Sequence, residues 1–228
     1  MSAVEALHER TWPLAGPDGP LHAVMSWPTD REPTHGVLVC PPSPLLGGDL
    51  ENNVTQALAR AAAARGLAAL RFDYRNAGRS GGDTGGLPRS EWWHRRTVTH
   101  DIQPVIDDAR CALAALEGFV PVRLVVGYSF GGIVAALLAA ERSDMRVAMI
   151  CPPLGLHPVP ELAQIAERTL IVLAENDEIA PPPRRESLEE SHAALRVVRL
   201  HAADHFLLDE ELAAVEPILD WAVPGEPR

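Results

Sequence analysis

The sequence predicts an α/β fold: a mostly parallel sheet with helices on both faces. Three observations carry this reading. Short apolar runs such as "GVLVC" (36–40), "VRLVV" (122–126) and "TLIVLA" (169–174) show almost no polar alternation, as expected of strands covered on both faces. Stretches with helical spacing separate those runs. The length of 228 residues suits one domain (1–228) with a sizeable core, and neither a repeat nor a long linker divides it.

The elements follow in order. "RTWPLAG" (10–16) and "LHAVMSW" (21–27) alternate more than the later runs and have turn residues between them, so they predict an antiparallel hairpin at the sheet edge. After "GVLVC" comes "NNVTQALARAAAARG" (52–66), a helix with Asn52 or Asn53 as its cap and Gly66 as its stop. Val54, Ala57, Leu58 and Ala61 are expected on its buried face. "LAALRFD" (67–73) is a strand, residues 74–89 a Gly-rich loop, and 101–117 a helix. "VRLVV" leads into a helix over 131–141, and "RVAMIC" (146–151), "TLIVLA" and "RVVRL" (196–200) complete the sheet. Helices near 184–192 and 209–221 fill the remaining intervals.

Composition excludes several function classes. The net charge of −11 leaves no basic face for nucleic acid or an anionic membrane. All 20 basic residues are arginine, so Schiff-base chemistry and a Walker phosphate loop, which need a lysine amine, are absent. Cys40, Cys111 and Cys151 lack CxxC spacing and read as buried or incidental thiols. There is no HExxH, and His94 and His100 are poorly spaced for zinc, so no metal and no other cofactor is expected. The acidic start lacks a basic-then-apolar signal, and arginines interrupt the alanine-rich stretch 57–70, which points to a cytoplasmic protein.

The chemistry gathers at "VVGYSFGGIVAALLAA" (125–140). A serine that leaves a strand and at once begins a helix occupies a sharp turn. Only small residues fit two positions to either side of it. Gly127 and Gly131 flank Ser129 in this way, and the helix start aims the Phe130 N–H at developing negative charge. The bland alternative is a turn serine beside glycines. A serine nucleophile needs a base, and His205 in "HAADHFLL" follows the last strand; His201 is the rival, abutting strand residue Leu200. "AENDEIAPPP" (174–183) offers Glu175, Asp177 and Glu178 as the acid that orients the base, and Asp177 lies best, beyond the apolar run and before the proline turn.

The chain order Ser129, Asp177, His205 is that of α/β-hydrolases. With "VCPPSPLLGGDLENNVTQALARAAAARGLAALRFDYRNAGRSGGD", "GYSFGG", "ENDEIAPP" and "ADHF", nearly the whole chain resembles the small capless bacterial α/β-hydrolases of the dienelactone-hydrolase and serine-peptidase-like branch. Such relatives often have His-Pro-His-Pro where this chain has Pro41-Pro42-Ser43-Pro44, and Arg-Gly-x-Gly where it has Arg75-Asn76-Ala77-Gly78. The resemblance implies the α/β-hydrolase fold without a large lid and serine hydrolysis of a small carboxylic ester, thioester or amide through an acyl-enzyme.

The second oxyanion donor is expected in the loop after "GVLVC". Proline has no N–H, so within "PPSP" only Ser43 can donate. Tyr128, Trp92, Trp93, Leu154 and His157 are candidates for the substrate pocket, with Leu156 beside them at an open mouth. For the tryptophan pair the alternative is anchoring a long loop onto the body. Two further functions are carried along: lyase or acyl-transfer chemistry at the same serine, and a non-catalytic ligand-binding protein. The expected partner is a small-molecule ester or thioester, and a homodimer is left open.

Overall fold

The computed structural model describes residues 7–182 and 193–222. Eight strands form one sheet in the order β1-β4-β6-β5-β7-β8-β9-β10. Their spans are β1 Leu7–Thr11, β4 Ala23–Pro28, β5 Gly36–Cys40, β6 Ala68–Phe72, β7 Val122–Tyr128, β8 Arg146–Ile150, β9 Thr169–Ala174 and β10 Arg196–Leu200. The run β6-β5-β7-β8-β9-β10 is parallel throughout, while β1 and β4 pair antiparallel at one edge. The antiparallel edge is present as expected, but its strands are β1 and β4, so the expected arm 10–16 holds only the last two residues of β1. A two-stranded ribbon of β2 (Leu14–Gly16) and β3 (Gly19–Leu21) is inserted between them.

Strand alternation divides the core into two layers. Val37 and Val39 face the layer containing α1 (Asn53–Ala64) and α5 (Glu211–Ala222), the final described helix. Leu38 and Cys40 face the opposite layer, with α2 (Arg89–Thr99), α3 (Gln103–Glu117) and α4 (Phe130–Ala140). The helix expected near 184–192 lies outside the described residues. Among the described residues no helix is long and apolar enough to cross a membrane.

Local chemistry explains the boundaries. The Asn52 side chain accepts from Val54 N (3.1 Å) and Thr55 N (3.3 Å), capping α1, and Gly66 ends it with φ +87°. The α1 face differs from expectation: Val54, Leu58 and Ala62 are buried with Thr55, Ala59 and Ala63, whereas Ala57 and Ala61 are half-buried. The helix is rotated by about one residue because alanine, present on nearly every side, gives little direction. Helix α2 was not expected at all, since Trp92 and Trp93 are its only buried residues.

Between β6 and α2 the chain is organised by a buried ion pair. Arg75 Nη2 donates to Asp108 Oδ1 at 2.8 Å, Arg75 Nε lies 3.0 Å from the same oxygen, and Arg75 N donates to Asp108 Oδ2 at 2.8 Å. Asn76 follows with φ +59°. Glycine reaches that left-handed backbone freely, and asparagine tolerates it better than most residues. Removing Asp108 leaves a guanidinium inside the fold without its partner. Asp108→Ala is expected to cost about 3–5 kcal/mol in urea unfolding, the usual penalty for breaking a buried pair from one side.

Candidate active site

The sheet order reverses between β5 and β7, the place where open α/β sheets hold ligands beyond the strands' carboxyl ends. Ser129 stands there, directly after β7, with φ +53° and ψ −123°. This strained backbone is fixed from several directions. Ser129 N donates to Ile150 O at the end of β8 (2.7 Å). A Cβ on Gly127 would lie 1.9 Å from Gly131 O, and one on Gly131 would lie 2.2 Å from Cys40 O. Both glycines are thus required by backbone packed on backbone. Phe130 N–H, the first of α4, has no partner within its own helix.

Ser129, Asp177 and His205 come together although up to 76 residues separate them. Ser129 Oγ lies 3.1 Å from His205 Nε2, and His205 Nδ1 donates to Asp177 Oδ2 at 2.7 Å. The other carboxylate oxygen, Asp177 Oδ1, accepts from Ile179 N (3.0 Å) and Ala180 N (2.7 Å). All three side chains are buried, each residue about 4% exposed. The rivals pair elsewhere: the His201 ring, 85% exposed, has Nδ1 2.8 Å from Glu175 Oε2. Two histidine–acid pairs thus leave the ends of β9 and β10, and only the second reaches the serine.

The loop bearing His205 is tied down at several points. Tyr128 OH donates to the His205 carbonyl, and the Tyr128 ring lies 5.5 Å from the imidazole. Asn53 Nδ2 donates to Phe206 O (3.0 Å) and to Glu211 Oε1 (2.8 Å). Asp204 Oδ1 accepts from Phe206 N and Leu207 N. Tyr128 was expected to line the pocket; it is instead buried beneath His205 because its hydroxyl turns inward to that carbonyl. Burial pushes its phenol well above the ordinary range, so the hydroxyl keeps its proton.

Ser43 follows β5 with φ −64° and ψ 127°. Its hydroxyl accepts from Leu45 N (3.3 Å), and its carbonyl accepts from Leu46 N (3.1 Å) and Gly48 N (3.0 Å), closing a tight turn over Pro44–Leu46. The hydroxyl is thereby used within the loop.

The remaining pocket candidates are placed differently from expectation. Trp92 and Trp93 are core residues. Trp93 Nε1 donates to Asn76 O (3.2 Å) and its ring meets Phe130 edge-on at 6.2 Å, while Arg96 covers Trp92. They anchor α2, although Trp93 also lines a hollow of about 280 Å³ beside Pro44, Leu45 and Asn76. His157 does not edge the mouth, because a turn to Pro153 O folds it inward against the Phe130 ring (5.8 Å) and His100 Nδ1 (3.2 Å). Burial, with the nearby His100, holds its pKa below the usual histidine range. Leu154 packs half-buried on the core, and only Leu156 stands open.

One group escaped the sequence reading. Cys151, the first residue after β8, is fully buried beside Asp177 and His205. Its position just past an apolar strand, at the sheet edge that carries Ser129, was the available signal.

Known proteins share this fold. XC6422 from Xanthomonas campestris, an α/β serine hydrolase without a lid, superposes with TM-score 0.73 at 25% identity, over 96% of this chain and 97% of its own. An α/β serine hydrolase homologue from Coxiella burnetii gives TM-score 0.73 at 23% identity, covering 92% and 95%. A cold-adapted esterase from an Arctic intertidal metagenomic library gives 0.67 at 18% identity, covering 95% and 94%. No protein of curated function matches the sequence. The family described as serine aminopeptidase, S33, matches residues 47–213, a span that holds Ser129, Asp177 and His205, and the chain belongs to this family of α/β serine hydrolases.

Proposed function

We propose that the protein hydrolyses a small carboxylic ester or thioester through an acyl-enzyme formed on Ser129. The observation that carries this is the unbroken hydrogen-bond line from Asp177 through His205 to Ser129 Oγ, at 2.7 and 3.1 Å. In the first half-reaction His205 Nε2 takes the hydroxyl proton as Oγ bonds to the carbonyl carbon. Charge moves to the carbonyl oxygen, where the N–H groups of Phe130 and Ser43 receive it. The imidazolium, held by Asp177, then protonates the leaving alcohol or thiol as its bond to carbon breaks. Water repeats the sequence on the acyl-enzyme, releasing the acid and restoring Ser129.

The rim supports a neutral, apolar substrate. Leu45, Leu46, Leu156, Ile179, Phe206 and Leu208 are all exposed, and they stand on the loops that follow β5, β8, β9 and β10. Each loop leaves the carboxyl edge of the sheet, where Ser129 also stands, so an acyl or alkyl group bound over Ser129 would cover apolar surface.

Fluorophosphonate labelling tests the nucleophile. Wild type is expected to label once, and Ser129→Ala to lose both labelling and ester turnover with little change in thermal unfolding. Labelling that survives in Ser129→Ala would overturn the assignment. His205→Ala should lower kcat by about 10⁵–10⁶-fold and Asp177→Asn by about 10⁴-fold, as triads generally behave. His201→Ala should remain active, since its ring serves Glu175 at the surface.

A second pair of variants tests the oxyanion donor. Ser43→Ala removes only the hydroxyl that steadies the turn and should stay within a few-fold of wild type. Ser43→Pro removes the N–H at a backbone φ of −64° that proline adopts without strain. It is expected to lower kcat by about 10²–10³-fold at unchanged KM and unchanged circular dichroism. An active Ser43→Pro would move the donor to another residue.

A further inference from the structure

We propose that Cys151 is a positioning residue whose thiol donates a hydrogen bond to the Asp177 carboxylate and so holds it in line with His205. The inference rests on the reading of Ser129, His205 and Asp177 as the reacting line.

Four neighbouring strands each contribute one side chain to this corner: Ser129 after β7, Cys151 after β8, Asp177 after β9 and His205 after β10. Cys151 Sγ, a carboxylate oxygen of Asp177 and a ring nitrogen of His205 all lie within 4.8 Å of one another. This places the buried thiol beside the carboxylate that His205 Nδ1 contacts. Its backbone is fixed by Cys151 N donating to Val172 O (2.8 Å) and has φ +47°, a left-handed conformation that glycine would adopt without strain.

The need for such a donor follows from counting acceptor sites on the carboxylate. Asp177 offers about four lone-pair directions. Two are used by Ile179 N and Ala180 N and one by His205 Nδ1. In a buried site the remaining direction is closed to bulk water, and an unfilled acceptor there weakens the hold on the group. Burial, and then the charge of Asp177, push the Cys151 thiol up to about 12. At neutral pH the sulfur therefore keeps its proton. That makes it a hydrogen-bond donor, neither a competing nucleophile nor a thiolate ligand for a metal.

The infrared S–H stretch, which falls in a window clear of other protein bands, reports this bond without reference to turnover. The difference spectrum of wild type minus Cys151→Ser isolates the Cys151 band. It is expected at low wavenumber, as for a thiol bonded to a charged acceptor, and should move up in Asp177→Ala. A band at the free-thiol position overturns the proposal.

Kinetics supply the second arm. Cys151→Gly, compatible with the backbone, should lower kcat by about ten- to a hundredfold, the effect of one hydrogen bond to a charged group, with KM within about twofold. Cys151→Ser restores a donor and should stay within a few-fold of wild type. Equal losses in the glycine and serine variants, or a glycine variant as active as wild type, would overturn it. Wild type that fails to label with fluorophosphonate would instead count against the hydrolase reading, and the infrared result would still decide the Cys151–Asp177 bond.

Discussion

Everything around Ser129 depends on backbone meeting backbone without a side chain between. Gly127 abuts Gly131, and Gly131 abuts the carbonyls of Cys40 and Pro41, at separations that exclude even a methyl group. This contact lets α4 begin immediately where β7 ends and turns Ser129 into its positive-φ conformation. It also presses the start of the loop after β5 against the start of α4. The strained serine costs on the order of 1–3 kcal/mol. The buried strands on either side, β5 and β8, supply the rigid frame that offsets it.

Much of the central sheet was legible because it obeys a simple rule. Strands buried on both faces must be continuously apolar, and "GVLVC" and "TLIVLA" coincide with β5 and β9, whose residues are all buried. Where the physical signal weakens, so does the reading. Helix α2 contains Arg89, Arg95, Arg96 and His94 around one tryptophan pair, and it is held by what those two rings bury rather than by a periodic face. The inserted β2–β3 ribbon is only three residues per strand, too short for alternation to register. In α1, alanine on most sides left the rotation of the helix open until Leu58 and Ala62 were seen to pack together.

The site was legible in the same graded way. Residues whose place in the chain is forced, such as the serine of the turn and a histidine after the last strand, could be proposed from order alone, and the structure brings these two within hydrogen-bond distance. The choice between Glu175 and Asp177 was harder, because both are loop acids; the structure sends one to a surface histidine and the other inward. Side chains that act by turning inward escaped detection. Tyr128 and His157 read as pocket candidates, yet a hydrogen bond to the His205 carbonyl and a turn to Pro153 O accompany their burial. Cys151 gave no motif, since a single thiol after a strand has no spacing to recognise.

The segment from His201 to Glu210 lacks regular structure and contains three non-glycine residues in the left-handed region, Ala202, Leu207 and Asp209. It is held by Tyr128 to the His205 carbonyl, Asn53 to the Phe206 carbonyl, Asn176 N to the Ala203 carbonyl, the Asp204 side-chain turn and the buried Ala203 and Leu207. Strands of the parallel sheet, by comparison, share continuous ladders and two apolar layers. Local opening begins where hydrogen bonds are few and backbone strain is stored. On warming, the imidazole should therefore part from the serine before any strand leaves the sheet. For the proposed hydrolysis, the upper temperature limit would then follow how long this short segment stays fastened, below the temperature at which the body of the protein melts.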